Sequence, residues 1–360
     1  LNKTKVVHSP DTVHYFWIIL LVVITRRSVY FTAPASVEVH EEHIREPASG
    51  EALVSTLISA ISPGTENLIY QGQFPEDLAL DESIPGLQGH FGYPLKYGYS
   101  AVGRVVGLGL DIDPAWMGRL VFAFNPHESH FIASVADLIP LPEGIEPETA
   151  VFLPNMETAV NFVMDGKPAI GERVAVLGQG IVGLLTTALL AQFPLERLVT
   201  LDRCALRRQA SLDLGVDASL DPADVETQAQ LRALLAQGAD LCYELSGAPA
   251  ALDQAIALTG FDGRVIIGSW YGQKRASLDL GGRFHRSRIR LISSQVSSLA
   301  PELTGRWSKA RRFAVAWEML RRVQPARWIT QRYDLQDAAQ AYQLLAQNPE
   351  QAIQVLLTYP

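Results

Sequence analysis

RVAVLGQGIVGLLTTALLAQFPLERLVTLD, residues 173–202, is the stretch on which the fold is read. An apolar run, residues 174–177, enters Gly178-Gln179-Gly180-Ile181-Val182-Gly183. A segment rich in Leu and Ala follows, and a second apolar run, residues 198–201, ends at Asp202. This reads as strand, turn, helix and parallel strand. Gly178 permits the tight turn, Gly180 lets a pyrophosphate approach the main chain, and Gly183 lets the helix lie close to the strand. The free N–H groups and dipole of the helix then attract phosphate. A bare GxGxxG says little. This one stands between strand and helix, with an acid nineteen residues past Gly183, as a dinucleotide site requires. A tight turn without a ligand is the competing reading.

Downstream the alternation continues. Residues 205–214 and 249–259 read as helices, and residues 239–245, 263–268 and 288–294 as strands, the pattern of a doubly wound parallel sheet. Beyond it, residues 307–323 and 336–346 read as helices. In the second, Ala338, Ala341, Tyr342 and Leu345 fall at i, i+3, i+4 and i+7 and bury one face. Residues 353–358 are strand-like and rejoin the first domain. Upstream, residues 29–31, 37–39 and 51–58 read as short strands of a β-rich domain, and residues 77–92 as a polar surface loop.

Length and composition agree with two globular domains: 360 residues at ~150 per domain, with 48% hydrophobic and 19% charged residues. A net charge of −8, with no basic stripe, argues against a nucleic-acid partner. Two cysteines, Cys204 and Cys242, are too few for a disulfide framework and point to a reducing, cytoplasmic setting. Residues 15–24 form a ten-residue apolar run between Lys3, Lys5 and Arg26-Arg27. As a helix it reaches about 15 Å against a ~30 Å hydrocarbon core, and no small-x-small cleavage pattern follows. Residues 1–27 are therefore read as an N-terminal extension without firm membrane association, the domain starting near Ser28. A docking role at a membrane or partner is the alternative.

Several motifs carry a resemblance. Pro94-x-x-x-Gly98-Tyr99-Ser100-x-x-Gly103-x-Val105-Val106 and Gly64-Thr65-Glu66-x-x-x-Tyr70-x-Gly72 are similar to two stretches of the medium-chain dehydrogenase/reductase superfamily, the zinc-type alcohol dehydrogenase-like proteins. Residues 118–122, 138–142 and 240–247 echo further segments, and residues 329–342 resemble the usual C-terminal helix. The likeness covers about residues 28–360. It implies a GroES-like β-rich catalytic domain (28–153 and 297–360) beside a Rossmann NAD(P)-binding domain (154–296). It also implies a homodimer formed through the edge of the cofactor sheet, where residues 288–294 are the candidate strand.

The resemblance breaks at the metal. Zinc-bearing relatives need about three Cys, His or carboxylate ligands. The corresponding positions here are Pro63 or Ser62, Tyr99 followed by Ser100, and Pro154 or Asn155. The four-cysteine lobe is replaced by residues 125–129. The chain therefore looks like a zinc-ligand-lacking branch, locally similar to the bacteriochlorophyllide hydroxyethyl dehydrogenase branch, and no metal is expected. His127 and His130 stand at HxxH spacing with no third ligand evident.

The resemblance implies Thr65 as a relay hydroxyl on the substrate oxygen and Tyr99 as acid or pocket-lining ring. Glu66 reads as an orienter of these groups or a solvated turn carboxyl, and His127 as a proton carrier near the pocket. Phe124, Ser62 and Asn155 would line the substrate pocket. For the cofactor, Gly178, Gln179, Gly180, Ile181, Val182 and Gly183 would hold the phosphates, Asp202 the ribose, and Thr158, Ser246, Gly247, Gly268 and Ser269 the nicotinamide half. The charge of Asp202 favours NAD. Arg203, Arg207 and Arg208 leave NADP open, Arg207 matching a basic residue that serves either cofactor. The expected activity is zinc-independent, NAD(P)-dependent hydride transfer between nicotinamide and a small alcohol or carbonyl substrate. A quinone or enoyl reductase and a non-catalytic dinucleotide-binding protein are the rivals.

Overall fold

The computed structural model describes residues 24–75, 80, 84, 87 and 89–360. Of the N-terminal apolar run only Ile24 lies among them. No helix among the described residues is long and apolar enough to cross a membrane.

The chain opens on an antiparallel hairpin, β1 (Ile24–Ala33) and β2 (Ser36–Ile44). The first strand thus starts before Ser28 and includes Arg26 and Arg27, which the sequence reading gave to the extension. Their partners exist only once the strands are in register. Arg26 pairs with Glu42 at 2.7 Å and with Glu128 at 3.3 Å, and the Arg27 N–H donates to Ser129 Oγ at 2.9 Å. β3 (Glu51–Ala60), α1 (Thr65–Tyr70), β4 (Ala101–Leu108), β5 (Leu120–Ala123), β6 (His130–Ser134), β7 (Ile139–Pro140) and α2 (Pro147–Ala150) complete the first segment. Residues 77–92, expected as a surface loop, carry Leu87 and Phe91 into the core at 1% and 7% exposure, with Leu80 and Ile84 packed on the same cluster. The anchors are scattered singly among polar residues, so composition hides them.

The middle of the chain alternates: α3 (Leu153–Gly166), β8 (Arg173–Leu177), α4 (Ile181–Leu190), β9 (Arg197–Leu201), α5 (Ala205–Leu212), β10 (Ala218–Leu220), α6 (Thr227–Leu234), β11 (Ala239–Glu244), α7 (Pro249–Leu258), β12 (Thr259–Ile267) and β13 (Arg290–Ser293). Its strands form one parallel sheet in the order β10-β9-β8-β11-β12-β13. The order reverses between β8 and β11, so the strand ends there flank a crevice, the usual ligand position in such sheets. α4 is apolar on every face because it is covered on every face: Leu184 and Leu185 have no exposure, each burial contributing ~1.5–3 kcal/mol.

α8 (Lys309–Val323), capped by Ser308 Oγ on the Arg311 N–H, leaves the sheet, and β14 (Ile329–Asp334), α9 (Ala338–Gln347) and β15 (Gln354–Thr358) return to the first segment. β15 pairs antiparallel with β3, and β14 runs parallel to β15, in a seven-stranded sheet. Residues 329–334 are therefore strand, not the start of the C-terminal helix. Parallel pairing with β15 fixes them, and the Asp334 carboxyl, accepting the Gln336 N–H, turns the chain before α9.

The hairpin is held by its charges. Burial alone would raise the Glu42 carboxyl, but hydrogen bonds from Tyr30 and Arg26 and the charge of Lys96 outweigh it and hold it down at about 2. Such a group stabilises the fold above the ordinary glutamate pKa of about 4.3 and loses that contribution as pH falls through its native value. Glu42→Gln should accordingly lower Tm at pH 7, and the gap from wild type should close as pH falls from about 4 toward 2. Thermal melts across that range check it.

Candidate active site

The glycine turn is built by close approach. Gly178 has φ +95°, and a Cβ there would lie 2.6 Å from the Ser246 main chain; one at Gly183 would lie 2.0 Å from the Gly178 carbonyl oxygen. At Gly180 a Cβ would meet open space, which is the room a phosphate needs. α4 has no side-chain cap, and its first returning bond is Leu184 N–H to the Gly180 carbonyl at 2.8 Å. The N–H groups of Ile181, Val182 and Gly183 are thus the open donors of a helix N-terminus. Gln179 turns inward, donating to the Gly178 carbonyl and accepting from Thr187.

Asp202 locks this turn. One carboxyl oxygen accepts the Gln179 N–H at 2.6 Å and the other the Cys204 N–H at 2.8 Å, at 9% exposure. Each oxygen keeps a lone pair for a ribose hydroxyl. These residues fit a dinucleotide. Arg207 does not join them: its guanidinium donates to the carbonyls of Pro349 and Ala352 and ties α5 to the segment before β15. Arg208 is held by the carbonyls of Asp202 and Arg203 and by Asp221, while Arg203 is exposed beside the acid. Those carbonyl acceptors are remote in sequence, so the resemblance that placed Arg207 beside the cofactor did not reveal them.

Between the two segments runs a cleft of about 870 Å³, toward the upper end of small-molecule sites at roughly 300–1,000 Å³. Gly268, Ser269 and Thr158 line it, with Thr158 donating back to the Pro154 carbonyl at 2.8 Å. Ser246 and Gly247 follow the end of β11, the Gly247 N–H donating to Ser269 Oγ at 2.8 Å. Thr65, Tyr99 and Phe124 face them from the other wall. Phe124 is braced edge-on by Phe122. Asn155 is buried in the first turn of α3.

Behind Tyr99 lies a connected polar network. The Tyr99 hydroxyl donates to Ser62 Oγ at 2.6 Å, and the Ser62 N–H donates to Glu66 at 2.8 Å. Glu66 also meets His127 Nε2 at 3.0 Å and accepts from the Tyr342 hydroxyl at 2.5 Å. His127 Nδ1 pairs with Ser59 Oγ at 2.6 Å. Glu66 and His127 both have 0% exposure. Glu66 is therefore no solvated turn carboxyl. His127 does not reach the cleft: its ring packs under Gly98, where a Cβ would lie 2.7 Å from it. Burial, with Glu66 beside it, pushes the Tyr342 hydroxyl well above the usual phenol range, so it remains a donor. His130 sits apart, in β6, its imidazole pKa lowered by burial and by Arg27.

One buried pair escaped the sequence reading. Arg312, with no exposure, donates from Nε and Nη2 to Glu157 at 3.0 and 2.8 Å, from Nη1 to Asn161 at 2.6 Å, and also to the carbonyls of Val296 and Ser298. It fixes the segment after β13 as a wall of the cleft. Burial raises the Glu157 carboxyl despite this partner. The signal was an arginine on the buried stripe of α8, with Ala316, Trp317, Leu320 and Val323.

Among the positions that the resemblance matches to zinc ligands, the hydroxyls are already engaged with one another or with main chain. Ser62 and Tyr99 bond each other, and Ser100 donates to the Val151 carbonyl at 2.5 Å. Hydroxyls, an amide and prolines lack the thiolate or imidazole of a tetrahedral zinc site. Among the described residues no group of three or more His, Cys, Asp or Glu is gathered to hold a metal. This set does not fit a catalytic zinc.

Comparison with known proteins follows the same lines. The family model described as zinc-binding dehydrogenase matches residues 182–316. D-guloside 3-dehydrogenase of Escherichia coli K12 is 24% identical over 271 residues, covering 73% of this chain and 77% of its own. The 2-desacetyl-2-hydroxyethyl bacteriochlorophyllide A dehydrogenase of Cereibacter sphaeroides is 23% identical, covering 74% and 80%. The crystal structure of an alcohol dehydrogenase (rspB) of E. coli CFT073 complexed with NADH superposes with a TM-score of 0.75 at 18% identity, over 93% of this chain and 99% of that one. The glycine turn and the two-segment architecture thus agree with these matches: residues 182–316 match the zinc-binding dehydrogenase family, the chain is similar over about three quarters of its length to curated dehydrogenases, and its fold is that of the alcohol dehydrogenase structure.

Proposed function

We propose that the chain is a zinc-independent oxidoreductase that moves hydride between a nicotinamide dinucleotide and the carbinol or carbonyl carbon of a small molecule. The observation that carries this is the 2.6 Å hydrogen bond from the Tyr99 hydroxyl to Ser62 Oγ, Tyr99 lining the cleft together with Ser269 and Thr158; the resemblance puts zinc ligands at Tyr99 and at Pro63 or Ser62. The names of the two relatives above, both dehydrogenases, support the reaction class.

A bound dinucleotide supplies the hydride in reduction and accepts it in oxidation. In reduction the chain must deliver one proton to the substrate oxygen, and Tyr99 is placed to do so. Its O–H is held toward Ser62 Oγ until a carbonyl oxygen replaces that acceptor. Thr65 adds a hydrogen bond to the same oxygen, and Ser62 then donates to the phenolate, which regains its proton from water in the cleft. Oxidation reverses these transfers. A conjugated C=C substrate needs its proton on carbon, so the hydroxyl pair favours the carbonyl reading. Glu66 and His127 act from behind, as positioning residues.

Asp202 favours NAD, since its charge repels a 2′-phosphate at the ribose. The free thiols Cys204 and Cys242 suit a reducing cytoplasm. β13, paired among the described residues with β12 alone at the sheet edge, suits pairing with a second copy.

Three measurements test this reading. Tyr99→Phe should lower kcat by ~10²–10⁴-fold, the usual worth of a placed acid, while the Kd for NADH stays as in wild type. Metal analysis should find well under one zinc per chain and a chelator should leave activity intact; near-stoichiometric zinc with chelator-sensitive turnover refutes the zinc-free site. Gly180→Ala should keep the wild-type Tm yet weaken NADH binding by about tenfold, roughly 1.4 kcal/mol, because its methyl enters the phosphate space. Gly183→Ala should instead lower Tm, because its methyl strikes the Gly178 carbonyl.

A further inference from the structure

One charged group in the cleft has no part in the proton transfer. Among the described cofactor-domain residues that line it, from Pro154 through Ser297, Glu157 alone is charged. Pro154, Glu157 and Thr158 fall at i, i+3 and i+4 of α3, so they share one face of the helix, and all three line the cleft.

The Glu157 carboxyl is engaged through one oxygen only. Both Arg312 bonds, from Nε at 3.0 Å and from Nη2 at 2.8 Å, end on Oε1. Among the described residues no donor reaches Oε2. The side chain is only 4% exposed, yet Oε2 is not one of the sealed interior atoms left without a partner. Its opening is therefore toward the cleft that the residue lines. Burial works against the charged form even with Arg312 in place, and a second donor is what this carboxyl lacks.

Several neighbours on the same wall already bond one another or nearby groups. Thr158 donates to the Pro154 carbonyl, Ser269 Oγ accepts the Gly247 N–H, Ser294 donates to Asp165, and Gln295 and Ser297 exchange two bonds. Glu157 Oε2 is the charged acceptor left over. A dinucleotide with its phosphates at the turn after β8 and a ribose on Asp202 lies along the crevice at the ends of β8 and β11. Its far end then enters the cleft on the side of Thr158 and Ser269. The polar substituent of a nicotinamide ring is a carboxamide, and the amide N–H groups are the donors that such a ring offers.

We infer that Glu157 is a cofactor-binding residue: Oε2 accepts a carboxamide N–H, so the site selects a nucleotide with an intact amide, while Arg312 holds the carboxyl from behind. This rests on the nicotinamide reading of the cleft given above and on no assumption about the substrate.

Glu157→Gln tests it by reversing the group on offer. Arg312 has donors only, so it keeps the oxygen of the replacement side chain and leaves the NH2 where Oε2 stood. Calorimetric titration measures four ligands without turnover. They are NAD⁺; 3-acetylpyridine adenine dinucleotide, whose methyl ketone has no N–H; nicotinic acid adenine dinucleotide, which carries a carboxylate there; and ADP-ribose, which has no ring. Wild type should bind NAD⁺ about tenfold more tightly than the acetylpyridine analogue, the scale of a hydrogen bond to a charged group. In the variant the Kd for NAD⁺ should rise about tenfold, and those for the acetylpyridine analogue and ADP-ribose should stay. The Kd for the nicotinic acid analogue should fall, because an amide donor now meets its carboxylate. Equal wild-type affinity for NAD⁺ and the acetylpyridine analogue, or variant shifts that are absent or common to all four ligands, overturns the inference and leaves the dinucleotide reading standing. If wild type binds none of the four, that reading fails and the inference with it.

Discussion

Glu66 is a carboxyl with no water contact, and the Tyr99 side of the cleft is arranged around it. A buried carboxyl must find its donors within the protein or cost several kcal/mol. Here the Ser62 N–H, the His127 ring and the Tyr342 hydroxyl supply them. Those partners come from the turn before α1, the loop between β5 and β6, and α9. Satisfying one side chain therefore fixes three distant pieces of chain against each other. The consequence at the cleft is positional: Glu66 holds the Ser62 main chain while His127 packs under Gly98, so both members of the Tyr99–Ser62 pair are placed from behind.

The cofactor-domain side follows a similar logic with different means. The turn after β8 is tight because two missing Cβ atoms allow main chain to meet main chain, and Asp202 closes it from β9 by accepting the Gln179 N–H. The outer wall depends on Arg312, whose charge is compensated by Glu157, Asn161 and two carbonyls rather than by solvent. A buried pair of this kind adds little net stability over apolar packing, but losing one partner is costly. It accordingly holds the segment after β13 in one place.

Much of this was legible in the chain. The period of the middle third, the glycine turn with its acid, and the motifs around Gly64 and Gly98 were read correctly as an α/β dinucleotide-binding fold with a β-rich partner. The errors share a cause. Arg26 and Arg27 looked like part of an N-terminal extension, Glu66 like a solvated turn residue, Arg207 like a cofactor contact, and residues 329–334 like helix. In each case the deciding partner lies far away in sequence: Glu42 and Glu128, His127 and Tyr342, the carbonyls of Pro349 and Ala352, and the strand β15. Local pattern reports what a segment prefers; it does not report what charge or strand will stand opposite.

The sequence by itself determined the parallel sheet and the tight glycine turn between strand and helix, because these follow from residue type and spacing within a few dozen residues. Only the tertiary structure decided that Ser62 and Tyr99 share a hydrogen bond, that His127 lies behind the cleft rather than in it, and that Trp270 closes on Phe91 across the two domains. The physical reason is that hydrogen bonds and ring contacts act over a few ångströms. Which groups come that close is settled by the packing of whole elements, after the local preferences of each have already been met.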